Sequence, residues 1–347
     1  MDSLRKVVTD NIGNVPKNNN TYNKNLSYVI STNPVPMDTV DMIDLEYMSA
    51  TILGIDSGIF DEKNSETKQF GGNQAALSDS AEKWIDDPKI EEIIHKYFPD
   101  AKKEDFELLF NKMCNSGCGY IAAINTIMTQ YGPDNLEDFK KRFGFDLYEE
   151  IRDNGITIKD YNYEYLFLDF FLYYAKNEWK FGKIEDILTH EESLGTHIDN
   201  VPIILKKYLE EKGITIEFKH TIEIPKNSED WKAAKEKLKE IGIEISDDEE
   251  LYYKEDDKIP AEALEEILKQ GKSINVSSVD FNLYYPYDKD GNGKLDDIAH
   301  EGVEAHAMTL VGISSDGKAI VSSWGKEFIM NLEEIKDYVV IEYQDFD

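Results

Sequence analysis

Alternating apolar positions near the C-terminal end of the chain predict antiparallel strands. Residues 306–313 and 319–325 are two apolar, β-branched runs, and Ser314-Ser315-Asp316-Gly317 lies between them. An Asp-Gly pair between two such runs is typical of a β-hairpin. Further strands are predicted over 214–224, 272–282, 326–330 and 338–343.

Helical spacing of apolar residues dominates the chain before these strands. Helices are predicted over 80–98, 105–113, 119–131, 135–148, 161–176, 198–211, 228–241 and 260–270. A moderately apolar stretch at 37–55 is also compatible with a helix. Because helices come first and antiparallel strands last, the pattern predicts an α+β fold.

The composition adds a strong negative charge to this picture. Lys and Arg total 38 and Asp and Glu total 70, which leaves a formal charge of −32 among 347 residues. Such a field repels phosphate backbones and anionic lipids, so nucleic acid and membrane surfaces are not expected partners, whereas basic peptides are suited to it. The oligomeric state stays open.

The start of the chain lacks the apolar run of a secretory signal. The most apolar stretch, 165–175, contains Asp169 and is too short to span a bilayer, so no membrane insertion is expected. We therefore expect a cytoplasmic location, or export without a recognisable signal peptide.

The candidate chemistry begins at the two cysteines, Cys114 and Cys118. Two cysteines four residues apart do not form a disulfide that holds a fold together. The spacing also differs from the redox Cys-x-x-Cys pattern. Cys118 directly precedes a helix rich in small residues, and a cysteine at a helix N-terminus gains thiolate character. His306 opens the first strand of the predicted hairpin, and Ser322-Ser323-Trp324-Gly325 closes the second.

A Cys-Gly helix start, a later strand beginning His-Ala-x-x-Leu-Val-Gly and a following strand ending in Ser-Trp-Gly together resemble the papain-like cysteine peptidases. Within them they resemble the bacterial branch that includes the double-glycine leader peptidases. The resemblance covers about 105–130 and 270–347. It implies a papain-like fold in which Cys118 is the nucleophile, His306 is its general base and Ser322 holds the place of the orienting Asn or Asp. Gly119 and Trp324 would line the substrate site, with Trp324 shielding the bond that orients the imidazole.

Two positions depart from that family pattern. A serine hydroxyl at position 322 accepts the imidazole N–H less firmly than an amide or carboxylate. The family also has a Gln shortly before the nucleophile that donates to the oxyanion, whereas Lys112 stands at that spacing here. The nearest amides are Asn111 and Asn115, and Asn111 would serve if the chain carries a one-residue insertion.

Composition and the resemblance together divide the chain into three expected segments. Residues 1–35 are rich in Asn and Lys and are expected to be a flexible arm. Residues 36–104 would be a helical N-terminal segment, either a pro-segment that occludes the cleft or a subdomain packed outside it. Residues 105–347 would be the catalytic domain.

The expected function is cysteine peptidase activity on a peptide or protein substrate. Other readings are a papain-fold acyl transferase, a deamidase or another amide hydrolase, and, from a different class, a catalytically inactive binding module.

An acidic loop between the last strands predicts a calcium site. Asp288, Asp290 and Asn292 match the first oxygen ligands of an EF-hand loop, followed by the Lys294 carbonyl and Asp296. Ala299 stands where the bidentate Glu belongs, and Glu301 lies two residues further on. The alternative is an Asp/Asn/Gly turn that needs no metal.

Overall fold

The computed structural model describes residues 70–131, 135–153, 156–195, 201–220, 261–291, 293–314 and 316–344. The expected arm at 1–35, the N-terminal segment up to residue 69 and the expected helix at 228–241 lie outside the described residues. Within the described ranges the structure tests the predicted elements directly.

The structure describes ten α-helices, nine before the first strand of the large sheet and the tenth between its first two strands. They are α1 (Ala76–Asp79), α2 (Ala81–Trp84), α3 (Pro88–Tyr97), α4 (Phe106–Cys114), α5 (Cys118–Tyr131), α6 (Leu136–Phe143), α7 (Tyr163–Asn177), α8 (Ile184–Thr189), α9 (Val201–Glu211) and α10 (Ala261–Lys269). Helix α3 shows how the sequence sets such a boundary. Asp87 caps it by accepting from the backbone N–H groups of Lys89 and Ile90 at 2.7 and 3.1 Å, and Pro88 fits the first helical position.

The predicted helix at 135–148 is shorter in the structure, because α6 ends at Phe143. Gly144 adopts φ +83°, a left-handed conformation that closes a helix and that only glycine takes without strain. The chain then forms a small antiparallel hairpin of β1 (Tyr148–Asp153) and β2 (Ile156–Tyr161) that the sequence pattern did not reveal.

The helical layer encloses a buried carboxylate, Asp169 of α7. Lys96 Nζ and Tyr97 OH of α3 lie 2.7 and 2.9 Å from its Oδ1. Tyr208 OH of α9 lies 2.6 Å from Oδ2, and Lys212 Nζ lies 3.3 Å from the same atom. These partners hold the pKa of Asp169 below its usual value even though burial acts in the opposite direction. A single charge therefore ties α3, α7 and the end of α9 together.

The large sheet has six antiparallel strands in the order β3-β8-β4-β5-β6-β7. Its strands are β3 (Ile216–His220), β4 (Ser273–Tyr284), β5 (Ile298–Ile313), β6 (Ala319–Ser323), β7 (Lys326–Met330) and β8 (Asp337–Tyr343). Tyr284 of β4 also pairs with Ile329 of β7. This extra pairing closes β4, β5, β6 and β7 into a ring.

The two faces of this sheet pack against different helices. Helix α5 contacts one face, where Val339 and Ile341 of β8 belong to the same core as the helical layer. Helix α10 covers the other face, which carries Met308 and Leu310 of β5. Successive residues of a strand point to opposite faces, so this assignment fixes the side of every residue in the regular stretches of β4, β5 and β8. The prediction of an α+β fold is confirmed.

Candidate active site

Cys118 is the first residue of α5, and the close packing just before it fixes its position. A Cβ at Gly117 would lie 2.7 Å from Met113 O, 2.7 Å from the Phe167 ring and 2.8 Å from Gln74 Cβ. Only a glycine allows these three groups to approach so closely, so Gly117 lets the chain turn from α4 into α5 with Cys118 at the helix start.

The Cys118 thiol lies against the sheet, beside the backbone N–H of Ala307 in β5. Burial raises the pKa of this thiol above its usual value. Hydrogen bonds from the backbone N–H groups of Ala307, Gly119 and Cys118 act in the opposite direction but are the smaller effect. Cys118 remains partly exposed to solvent as a residue, whereas Cys114 is buried, and burial raises its thiol pKa as well.

His306 immediately precedes the residue that Cys118 contacts. Its Nε2 lies 2.6 Å from Ser323 Oγ of β6. The imidazole stacks on Trp324 with ring centroids 4.4 Å apart and an angle of 21° between the planes. Burial, aided by the nearby His300, lowers the pKa of His306 to about 3, so its imidazole is neutral at neutral pH.

The thiol contacts the backbone of Ala307, and the imidazole belongs to the preceding residue of the same strand, β5. The side chain of Ala307 faces α5, and strand alternation directs the His306 side chain to the other face. Among the residues that the structure describes, no hydrogen bond joins Cys118 Sγ to the His306 ring. The site therefore holds a neutral thiol and a neutral imidazole, not a thiolate–imidazolium pair.

The structure assigns the contact with His306 to Ser323 and not to Ser322, which corrects the sequence-based choice. Ser322 Oγ donates to Phe70 O at 2.7 Å and accepts from Asn125 Nδ2 at 3.4 Å. The reason is again alternation, because Ser322 pairs with Thr309 and shares its α5-facing side. The sequence motif selected Ser322, whereas the hydroxyl that contacts His306 belongs to the next residue.

Trp324 covers the imidazole. It adopts φ +49° and lies with Gly325 in the tight turn between β6 and β7. His300 packs on the same indole at 4.9 Å between ring centroids. Gly119 is buried in the first turn of α5, where it contributes its backbone N–H.

The proposed oxyanion residue, Asn111, does not reach this site. It is exposed on α4, and its neighbour Lys112 donates from Nζ to His190 O at 2.6 Å. Gln74 is the amide that lies beside Gly117, the residue before Cys118. Its buried side chain packs against Gly117 and donates from Nε2 to Cys114 O at 2.7 Å. The sequence offered only a weak signal for it, the polar run Gly71-Gly72-Asn73-Gln74 far upstream of the cysteines.

The segment that carries Gln74 passes between α5 and the last hairpin. Phe70 N donates to Gly325 O at 3.0 Å, and Gly72 N donates to Asn125 Oδ1 at 2.9 Å. Asn125 Nδ2 in turn lies 3.0 Å from Thr309 Oγ1. A Cβ at Gly71, which has φ +81°, would lie 2.2 Å from Ser322 Oγ. This buried polar layer holds the segment, α5 and β6 in register beneath the site.

The acidic loop lies between β4 and β5, outside this site. Ligand oxygens of Asp288, Asp290 and Asp297 all lie within 4.8 Å of one another. The Asp288 carboxylate accepts from the backbone N–H groups of Gly291 and Gly293 at 2.6 Å each. The expected ligand Asp296 is exposed and outside the group, and Asp297 takes its place; the expected carbonyl donor Lys294 is exposed too.

Asn292, the remaining expected ligand, lies outside the described residues. The loop is flanked by strands and not by the helices of an EF-hand. Carboxylate oxygens at this spacing are the donor set that calcium prefers.

No family model, no curated protein and no solved structure matches this chain. Among the helices that the structure describes, none is both long and apolar enough to cross a bilayer.

Proposed function

We propose that the chain is a papain-like cysteine peptidase that cleaves peptide bonds through an acyl-enzyme on Cys118. The observation that carries this proposal is the contact of the Cys118 thiol, at the N-terminus of α5, with the backbone N–H of Ala307, the residue after His306. The thiol lies on the α5 face of β5, and His306, the preceding residue, lies with the indole that stacks on it on the other face of the same strand.

The chemistry starts from the neutral pair. His306 takes the thiol proton as Cys118 Sγ bonds to the carbonyl carbon of the substrate. The tetrahedral intermediate collapses when His306 returns that proton to the leaving amine and the C–N bond breaks. Water then attacks the thioester, His306 accepts its proton and transfers it to the departing sulfur, and the acid product leaves. The imidazole lies on the other face of β5 in the structure, so attack requires it to move to the face that carries Cys118.

Donors for the developing oxyanion surround the thiol. The backbone N–H groups at the start of α5 point towards it, and a helix N-terminus favours negative charge. Gln74 Nε2 uses one hydrogen for Cys114 O, and a side-chain amide has a second to offer. We assign Gln74 the oxyanion role that the sequence had suggested for Asn111. Ser323 orients the base through Nε2.

A second candidate function is a catalytically inactive binding module. The observation that favours it is the pair of pKa shifts, upward for Cys118 and downward for His306, which leaves little thiolate at neutral pH. Acyl transfer and deamidation use the same nucleophile and base, so they are variants of the first proposal and differ from it only in the group that attacks the thioester or leaves the acyl carbon.

The test combines a peptide-library digest with mass spectrometry of the intact protein. We expect cleavage by the wild-type chain, loss of cleavage in Cys118→Ala and retention in Cys114→Ala. A thioester of the acyl fragment should be trapped on Cys118 by acid quench. If no peptide is cleaved, transferred or deamidated in a Cys118-dependent way, the enzyme proposal fails and the binding module stands.

A further inference from the structure

A row of three paired residues crosses the α5-facing side of the sheet at the level of the thiol. Ala307 of β5 pairs with Ser277 of β4, and Ser277 pairs on its other side with Asp337 of β8. Directly paired residues point to the same face, so Ser277 and Asp337 share the face on which Cys118 contacts Ala307. Adjacent strands lie about 4.8 Å apart, which places Asp337 about 10 Å from Ala307 across the sheet.

Helix α5 leaves this end of the face open. The helix starts over Ala307, and then crosses the sheet diagonally, because Ala122 O accepts from Thr309 and Thr126 Oγ1 bonds with Tyr343 OH at 2.8 Å. The next pair outward from the row is Val279 and Ala305; both are exposed, and Val279 is 48% exposed. Ser277 and Asp337 are half-buried, between the covered and the open parts.

The carboxylate in this row is held in a defined position. Ser277 Oγ donates to Asp337 Oδ2 at 2.9 Å. A carboxylate oriented by a hydroxyl suits an ammonium or guanidinium group, and such charge-assisted bonds are shorter and stronger than neutral ones. The formal charge of −32 further favours the approach of cationic peptides.

We propose that Asp337 and Ser277 form a subsite that selects a lysine or arginine side chain in the peptide cleaved at Cys118. This inference deepens the proposed function and rests on it for the position of the scissile bond. An extended peptide rises about 3.3 Å per residue, so a side chain within about three residues of that bond reaches the carboxylate. Asp337 binds the substrate side chain and takes no part in proton transfer.

Kinetics on matched peptides test the subsite. In a capped peptide that the wild type cleaves, each position near the cut is varied among Lys, Arg, Gln and norleucine. We expect a preference for Lys or Arg at one position, and Asp337→Asn should lower kcat/KM for those peptides about 10- to 100-fold. The same variant should cleave the Gln and norleucine peptides within about twofold of the wild type. Asp337→Lys should move the preference to a Glu-containing peptide.

The matched control is Glu342→Gln, which removes the same charge from the same strand. Glu342 lies on the opposite face of β8 and pairs with Lys272 at 2.8 Å. It should leave the preference for basic peptides intact. An equal loss on basic and neutral peptides in Asp337→Asn would show a structural role, and the absence of any basic preference in the wild type would overturn the subsite.

A binding measurement separates this inference from the proposed function. Calorimetry on Cys118→Ala compares a Lys peptide with its Gln counterpart, with and without Asp337→Asn. Discrimination that depends on Asp337, without cleavage by the wild type, would keep the subsite and reject the peptidase. Equal affinity for both peptides, together with normal cleavage by the wild type, would reject the subsite and keep the peptidase.

Discussion

His306 Nε2 lies 2.6 Å from Ser323 Oγ, whereas the adjacent Ser322 hydroxyl faces away and donates to Phe70 O at 2.7 Å. Two consecutive serines thus have separate tasks. Ser323 orients the imidazole, and Ser322 joins β6 to the segment that precedes α1.

Alanine at each of these serines should separate the two tasks. Ser323→Ala should lower kcat about 3- to 10-fold, the range of one ordinary hydrogen bond, with little change in KM. Ser322→Ala should keep kcat within about twofold and instead lower the free energy of unfolding by about 1–2 kcal/mol, because Phe70 O loses its donor. Steady-state kinetics and urea unfolding measure both. A larger loss of kcat in Ser322→Ala than in Ser323→Ala would return the orienting role to Ser322.

The two cysteines should differ in their reactivity towards iodoacetamide. Cys118 is partly exposed and should be alkylated faster than buried Cys114. Because burial raises the pKa of Cys118, its alkylation rate should keep rising with pH above 9. Peptide mapping by mass spectrometry follows each site, with Cys118→Ala as the control. A rate that already reaches a plateau near pH 6 would instead reveal a thiolate–imidazolium pair.

Acid should destabilise the fold through His306. Its pKa is about 3 in the folded chain against 6.5 ordinarily, so the unfolded chain binds a proton at higher pH than the folded chain does. The stabilising effect of the neutral imidazole is complete above pH 6.5 and is lost as the pH falls towards 3. At about 1.4 kcal/mol per pH unit, this group removes roughly 3 kcal/mol of unfolding free energy between pH 7 and pH 4.

His306→Gln should therefore show a shallower fall in unfolding free energy over that interval than the wild type. Urea titrations at pH 7, 6, 5 and 4 give the comparison. Parallel pH profiles for the two proteins would mean that His306 titrates normally in the folded state.

Gly71→Ala should destabilise the chain by roughly 2–5 kcal/mol. A left-handed alanine costs about 1–2 kcal/mol, and the forced contact of its Cβ with Ser322 Oγ adds an overpacking cost. The double variant Gly71→Ala/Ser322→Ala should recover part of the overpacking cost but not the backbone cost, so the two changes should be non-additive. Thermal and urea unfolding measure the cycle. Strict additivity would show that Gly71 and Ser322 do not meet.

Calcium should raise the unfolding temperature relative to EDTA. A ligand that binds only the folded chain stabilises it by about 2.7 kcal/mol at a hundredfold excess over Kd. Asp297 belongs to the carboxylate group and Asp296 does not. Asp297→Ala should therefore abolish the shift in unfolding temperature, whereas Asp296→Ala should keep it. Magnesium should act more weakly, since it demands tighter octahedral geometry. If the unfolding temperature is the same with calcium and with EDTA, the loop is an acidic turn that binds no metal.

The sequence predicted the elements whose patterns are local. The helix at 260–270 is α10, the strand at 272–282 is most of β4, and the hairpin around Asp316-Gly317 joins β5 and β6. Their apolar periodicity and their turn glycines lie within a few neighbouring residues. The hairpin of β1 and β2 was missed because charged residues such as Glu149 and Arg152 give it no clean alternation.

The site was predicted less well, because its contacts join distant parts of the chain. Cys118 and His306 could be selected by motif, but the face of a strand depends on its register, and register separated Ser323 from Ser322. Gln74 packs against Gly117, the residue before Cys118, and no local sequence pattern predicts this contact. In the acidic loop, Asp297 replaces Asp296 because its carboxylate caps the N–H groups of Lys289 and Asp290.

The hydrogen bonds of Asn125 indicate at which stage of folding the proposed active site is assembled. Its amide bridges partners 53, 184 and 197 residues away along the chain, at Gly72, Thr309 and Ser322. Contacts of such high sequence separation form late in folding, because the entropic cost of closing a long loop comes before the contact can stabilise the chain. During synthesis the cysteine emerges long before the histidine and the indole that shields it. A nascent or truncated chain therefore carries the Cys118 thiol without its proposed base, and the proposed peptidase activity requires the final hairpin.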